Sequence, residues 1–359
     1  MKTYFNKLTF FLIIFLVSND LFADKLFGGI EIGSKGIKMT VVEVSNLKKG
    51  EFKIIDFWTE NVGIARGISI DGKLLSEDMK NASEVVKNNY LKLLNEFKVP
   101  NKNIFVVASS GVGMASNTDD LAEIIKNLIP KDLDVITPQL EAKLLLKGCI
   151  PPKFYLDSMV LDIGGGNTKG GYVEVYNEGN EIFFPLYIRW GTVTLTEKIN
   201  KKNAKLKIPE YNDQQISMGY VLKEEIQEMY KTREMAQFKK NIYLSGGAVW
   251  AFYTLFYNKQ ASEVQNYEPI TFTNALMYSD MLQNEFEKFE EIGKTNPEVA
   301  RVLQTYSQKH LISGNNILLT ALENIRNIDK KKLYYAKQGQ IAWLISYVVD
   351  SSSGQKPIY

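Results

Sequence analysis

Cysteine and histidine are almost missing from this chain, which carries Cys149 and His310 and no other residue of either kind. One cysteine forms no intrachain disulfide and builds no cysteine-based metal site. A single histidine rules out a serine–histidine–aspartate relay, paired-histidine zinc motifs and a histidine-rich phosphate-transfer centre. Both residues read as structural. An excess of one charge is missing too, since 43 Lys+Arg stand against 41 Asp+Glu, a formal net charge of +2. Nucleic-acid binding would need a local basic patch rather than a global field, so no nucleic-acid partner is expected. Chemistry, if the chain performs any, falls to carboxylates, hydroxyls, backbone amides and a hard metal ion.

Long apolar runs are also lacking. The one extended run, Leu8 to Val17, follows Lys2 and Lys7 and leads to Leu21-Phe22-Ala23. Ten residues are too few for a stable membrane span, which needs about 20. The pattern fits a secretory signal peptide over residues 1–23, with Ala23 at the cleavage position. The expectation is an exported protein, periplasmic or secreted, with no membrane span after signal removal. What is present suits a folded protein: 359 residues, 45% hydrophobic, 12% aromatic and 23% charged. That length accommodates two domains of roughly 150–170 residues each.

Periodicity gives the outline. Ser76 to Phe97 has helical spacing, with Val86, Tyr90, Leu93, Leu94 and Phe97 recurring on one face, and Leu121 to Leu128 is a further helix. Ile104 to Ser110 reads as a buried strand running into a small-residue loop, and Val135-Ile136 as a short strand. Thr137-Pro138 then opens the helix carrying Glu141, with Thr as N-cap and Pro at the first helical position.

The chain repeats itself. GIEIGSKGIKMTVVEV, within Phe27 to Val44, and VLDIGGGNTKGGYVEV, within Met159 to Val175, are the same strand, glycine turn and strand, about 130 residues apart. In each, the first strand ends in an acidic residue followed by apolar-Gly-small. Turn amides of this kind form an anion-binding nest, and glycine lets the backbone approach a phosphate closely. The acidic strand ends, Glu31 and Asp162, suit a hydrated Mg²⁺ or a water. A third glycine turn, YLSGGA (Tyr243 to Ala248), leaves a strand and enters a helix. The duplication predicts two related α/β domains with a cleft between them.

In order along the chain, these segments resemble the exopolyphosphatase and guanosine-pentaphosphate phosphohydrolase (Ppx/GppA) family of the actin-like ATPase/sugar-kinase superfold. Gly29 to Lys38 resembles the family's first phosphate motif, and LDIGGGNTKGG its second, "DIGGGSTEL". VVASSGVGMASN (Val106 to Asn117) resembles "VATSALRxAxN". VITPQLEAKLLLKG (Val135 to Gly148) resembles "VISGxEEAxLxxxG", and RWGTVTLTEKI (Arg189 to Ile199) is similar to "RxxGxVxLTExF". The resemblance implies an α/β fold of two actin-like (ribonuclease H-like) domains. Residues 24–150, with a returning helix at about 337–350, form the first domain and 151–336 the second. It implies catalysis at Glu141 and Asp162, with Mg²⁺ held by Glu31 and Asp162. Phosphate contacts fall to Gly33, Ser34, Lys35, Ser109, Ser110, Gly164, Gly165, Gly166, Asn167, Thr168, Lys169, Gly246 and Gly247.

Several positions depart from the family pattern. Glu31 replaces an Asp, Gly36 a hydroxyl, Gly113 the "ALR" arginine, Asn167 a Ser and Lys169 the acid of "STEL". Exchanging that acid for Lys169 exchanges a metal ligand for a cation. The implied function is an exported phosphohydrolase releasing terminal phosphate from polyphosphate or a nucleotide polyphosphate, with Glu141 activating water. An apyrase-like nucleotidase and a non-cleaving polyphosphate- or nucleotide-binding protein stay open, as does a homodimer.

Overall fold

The computed structural model describes residues 26–46, 51–176, 179–200, 206–259 and 263–352. The signal-peptide expectation at residues 1–23 lies outside them. Two sheets carry the fold. The first follows the order β3-β2-β1-β4-β5, with β1 Leu26–Ile32, β2 Gly36–Asn46, β3 Glu51–Asn61, β4 Ile104–Ala108 and β5 Leu133–Val135. The second follows β10-β11-β9-β6-β7-β8, with β6 Ser158–Ile163, β7 Thr168–Tyr176, β8 Asn180–Ile188, β9 Asn241–Ser245, β10 Tyr267–Ile270 and β11 Lys332–Ala336.

The repeat seen in the sequence governs both sheets. In each, three antiparallel strands (β1–β2–β3, β6–β7–β8) are followed by parallel additions beside the first strand (β4 and β5, or β9 and β11). Among the described strands, only β10, antiparallel on β11, has no counterpart in the first sheet. The opening strands β1 and β6 are central in their sheets and read as nearly continuous apolar runs, as strands covered on both faces do.

Helices α1 (Ser76–Asn95) and α2 (Thr118–Leu128) cover the outer face of the first sheet, where Val86, Leu93, Leu121 and Ile125 meet Ile30, Met39 and Val106. The second sheet buries α4 (Thr192–Asn200), α5 (Ile208–Thr232), α6 (Gly247–Tyr257) and α10 (Gln308–Glu323) around Leu161, Leu244, Phe252 and Leu318, and α7 (Phe272–Asn284), α8 (Phe286–Gly293) and α9 (Pro297–Thr305) add Tyr278, Phe289 and Val299 to the same core.

Between the sheets lie α3 (Pro138–Cys149) and the closing α11 (Gly339–Ser352). Their Leu144, Leu145, Trp343 and Leu344 share one core with Val42 and Val107 of the first sheet and Val160 and Tyr243 of the second. This shared layer fixes the two halves side by side and aims the carboxyl end of β1 at that of β6. Among the described residues no helix is long and apolar enough to cross a membrane.

Candidate active site

The two duplicated hairpins meet at their turns. Gly33 N–H donates to the Gly36 carbonyl at 2.9 Å, and Gly164 N–H donates to the Asn167 carbonyl at 3.1 Å, so the turns close in the same way. A β-carbon added at Gly165 would lie 2.9 Å from Ser34 Cβ, and one at Gly166 would lie 2.7 Å from Gly111 Cα. Only glycine lets the second turn rest against the first. Beside this contact opens a cleft of about 340 Å³, lined by Gly33, Ser34, Lys35, Ser109, Gly164, Gly165, Gly166, Asn167, Lys169, Gly246 and Gly247, together with Glu31, Glu141 and Asp162. The sequence assigned all fourteen to one site, and the fold brings them together.

Glu141 reaches the cleft because of how its helix begins. Thr137 Oγ1 accepts the Leu140 N–H at 3.2 Å and Pro138 occupies the first turn, which fixes where α3 starts. One turn in, Glu141 is only 1% exposed. Its Oε2 accepts the Ser110 N–H at 2.8 Å, and its Oε1 lies 2.9 Å from the Lys169 ammonium.

Lys169 projects from β7 directly opposite Asp162 of β6 and bonds its Oδ1 at 3.1 Å. A third, longer contact runs to Asn167 Oδ1 at 3.4 Å. Burial works against the Lys169 charge, but Asp162 and Glu141 outweigh it and hold the ammonium above the usual lysine range. The first hairpin repeats the arrangement. Lys38 stands opposite Glu31 in the β1–β2 ladder and bonds its two oxygens at 3.1 and 3.2 Å. Burial pushes the Glu31 carboxyl up to about 7, while Lys38 pulls it down and the nearby Glu141 pushes it up further.

These pairs bear on the expected metal. Magnesium takes near-octahedral oxygen coordination at about 2.0–2.1 Å. Glu31 and Asp162, read from the sequence as its ligands, each hold a lysine ammonium instead. Among the described residues no group of three or more His, Cys, Asp or Glu side chains is placed to hold a metal ion. The residues as they stand do not fit Mg²⁺.

Two of the expected phosphate contacts fall outside the cleft lining. Thr168 is buried, and its hydroxyl donates to the Trp190 carbonyl at 2.8 Å, tying the start of β7 to the entry of α4. Ser110 stands behind the wall, where its N–H holds Glu141 and its Oγ accepts Asn167 Nδ2 at 3.0 Å. That last bond links the loop after β4 to the second hairpin. Gly113 also stands apart, since a β-carbon there would point at Val135 Cγ1, 2.9 Å away.

Gly246 has φ +91°, and a β-carbon on it would strike the Ile163 backbone at 2.4 Å, so the third turn packs against the end of β6. Burial pulls the Lys35 ammonium below the usual lysine range, partly offset by Glu197. Cys149 is buried at the end of α3, and His310 Nδ1 pairs with the Ser307 hydroxyl at 2.8 Å to close the first turn of α10.

The far wall of the cleft comes from residues that carry no motif. Trp250 of α6, Arg301 and Thr305 of α9, Tyr306, Gln340 and Trp343 all line it. The Arg301 guanidinium lies 4.8 Å from the centre of the Trp250 ring. No glycine turn or acidic strand end precedes Arg301, so its sequence context reads as an ordinary amphipathic helix.

Comparison with known proteins agrees with the resemblance. The sequence profile described as the Ppx/GppA phosphatase family matches residues 40–328. A guanosine-5'-triphosphate,3'-diphosphate pyrophosphatase of Pseudoalteromonas translucida is 28% identical over 141 residues, 39% of this chain and 27% of its own length. The protein of the same name in Pseudoalteromonas atlantica is 24% identical over 176 residues, 49% of this chain and 33% of its own. The chain thus spans between about a quarter and a third of the length of these two curated relatives.

Among solved structures, a Ppx/GppA family member from Aquifex aeolicus has a TM-score of 0.64 at 20% identity, covering 91% of this chain and 98% of its own. An exopolyphosphatase from Cytophaga hutchinsonii has a TM-score of 0.69 at 17% identity, covering 92% and 99%. At such identities the likeness speaks for the fold alone: two actin-like α/β domains.

Proposed function

Because the chain belongs to the Ppx/GppA phosphatase family, we propose that it is an exported phosphohydrolase that releases the terminal phosphate of inorganic polyphosphate or a nucleotide polyphosphate. The observation that carries this reading is the meeting of Glu141 and both glycine turns in one cleft. Phosphoryl transfer needs mainly positioning and charge stabilisation. Backbone amides of Ser34, Gly165 and Gly166 cradle the transferred phosphoryl, those of Gly33 and Gly164 being engaged in closing their turns, with Lys35 supplying charge. Glu141, held by the Ser110 N–H, orients and deprotonates the attacking water. Guanosine polyphosphates join the candidate substrates because the two Pseudoalteromonas relatives are named for one.

Export favours hydrolysis over kinase chemistry, since the space beyond the inner membrane has no ATP supply. A phosphate-release screen on the purified mature chain tests the proposal, using polyphosphate, guanosine tetra- and pentaphosphate and nucleoside triphosphates. Release from polyphosphate or guanosine polyphosphates supports it, and release from nucleoside triphosphates alone favours an apyrase-like nucleotidase.

One observation favours a second reading, a cleft that binds such anions without cleaving them. The Lys169 ammonium 2.9 Å from Glu141 Oε1 compensates the charge a general base must use. Anion binding with no phosphate release under any condition would establish that reading instead.

A further inference from the structure

We propose that the Lys169 ammonium occupies the divalent-cation position of this cleft, so that a phosphate-chain anion binds there without a metal ion. The inference rests on the phosphate-binding reading of the cleft given above. It is carried by the repeat. At equivalent steps of the two hairpins a carboxylate on the first strand faces a lysine on the second, Glu31 opposite Lys38 and Asp162 opposite Lys169. Each ammonium is within 3.1 Å of its carboxylate.

Lys169 goes further than Lys38. Its three N–H groups have three oxygen acceptors around them, Glu141 Oε1 at 2.9 Å, Asp162 Oδ1 at 3.1 Å and Asn167 Oδ1 at 3.4 Å. One strand position thus bridges carboxylates from α3 and β6, which is what a bound cation does when it spans two acidic groups. The side chain is 6% exposed, at the wall of the cleft.

A dication entering between Glu141 and Asp162 would have to displace this ammonium or sit within a few ångströms of it. Like charges that close repel strongly in a buried setting. It would also find its candidate ligands already committed to N–H donors, whereas magnesium demands a nearly complete oxygen shell. The charge a metal would bring to the carboxylates is already supplied by the fold. The phosphate chain is then left to the turn amides and to Lys35 at the cleft wall.

Two measurements on the full mature chain test this. The first reads metal directly, by Mn²⁺ electron paramagnetic resonance and by ammonium NMR of ¹⁵N-lysine-labelled protein. The wild type is expected to hold no Mn²⁺ at Asp162 and to keep a slowly exchanging Lys169 ammonium signal that Mn²⁺ leaves sharp. Lys169→Glu, which returns an acid to the position, should take up one Mn²⁺ at least about tenfold more tightly and lose it again on Asp162→Asn. The wild-type arm stands alone if Lys169→Glu does not fold. Stoichiometric Mn²⁺ uptake by the wild type that Asp162→Asn abolishes, or broadening of the Lys169 signal by Mn²⁺, would overturn the proposal.

The second measurement is calorimetric titration with inorganic tripolyphosphate in EDTA. Binding is expected there, and binding only when Mg²⁺ is added, or in neither condition, would overturn the inference. Failure of the hydrolase reading looks different. A chain that releases no phosphate but excludes Mn²⁺ and binds tripolyphosphate in EDTA loses only its proposed activity. A chain that releases phosphate and takes up Mn²⁺ at Asp162 loses only this inference.

Discussion

Ser34 stands where a side chain on Gly165 would have to go, its Cβ 2.9 Å from the position of that missing β-carbon. The two phosphate turns therefore touch, and their spacing is set by the absence of one methyl group. Gly165→Ala forces Ser34, Val193 or the turn itself to move, and overpacking of this kind typically costs about 1–3 kcal/mol. Separating the turns should also weaken tripolyphosphate binding, read by titration beside the denaturation curve. A variant as stable and as tight-binding as the wild type would show that the turns do not need their contact.

Gly219 supplies the opposite case. It sits inside α5 with nothing within 4 Å of an added β-carbon. Glycine in a helix interior costs about 0.8–1.0 kcal/mol relative to alanine. Gly219→Ala should raise stability by about that amount and leave ligand binding untouched. A loss of stability in urea denaturation would contradict the open surroundings of this position.

Legibility in the sequence follows from how local each feature is. The turns at Gly33 and Gly164 were readable because a strand, a glycine turn and a strand lie within one short stretch, and twice. The start of α3 was readable from Thr137-Pro138 alone, and with it the place of Glu141. Edge strand β3 was not, because Phe52, Ile54, Ile55 and Phe57 on it are all exposed and give no clean alternation of apolar and polar residues. The metal-ligand reading of Glu31 and Asp162 failed to foresee their partners, since cross-strand register decides whether a lysine seven residues on faces the acid. Arg301 and Trp250 reach the cleft only through tertiary placement of α9 and α6, which no local pattern encodes.

Removing Lys169 should be expensive. Lys169→Met leaves Glu141 and Asp162 buried near one another without their shared cation, and breaking a buried ion pair costs about 3–5 kcal/mol. Pairing the change with Asp162→Asn removes one of the stranded charges. The double variant should then lose less than the two single losses added together, with a coupling of roughly 0.5–3 kcal/mol. Strict additivity in chemical denaturation would mean that the 3.1 Å contact carries no net energy.

Glu141 separates the hydrolase reading from simple binding. Glu141→Gln keeps the shape and, through its one acceptor oxygen, the bond from Ser110 N–H, but it gives up the ion pair with Lys169 and cannot take a proton from water. A general base contributes about 10²–10⁴-fold, so phosphate release should fall by that order while tripolyphosphate affinity stays largely intact. An unchanged rate would remove Glu141 as the base. Loss of binding with turnover preserved would make it a positioning group.

Glu31 should give the protein a pH-dependent stability of definite sign. Burial lifts its carboxyl from 4.5 to about 7 in the folded state, against the opposing pull of Lys38. Between those values the folded chain keeps a proton that the unfolded chain has released. Stability linked to this group is therefore fully present below about pH 4.5 and is lost as pH rises through about 7, by roughly 1.4 kcal/mol per unit. Glu31→Gln has no proton to hold and an amide oxygen that still accepts from Lys38. Against the wild type it should gain stability at pH 8 and show little difference near pH 4.5. Denaturation midpoints of the two proteins across that range check the claim, and curves that run parallel from pH 4.5 to 8 would show that the Glu31 carboxyl titrates as an ordinary solvated acid.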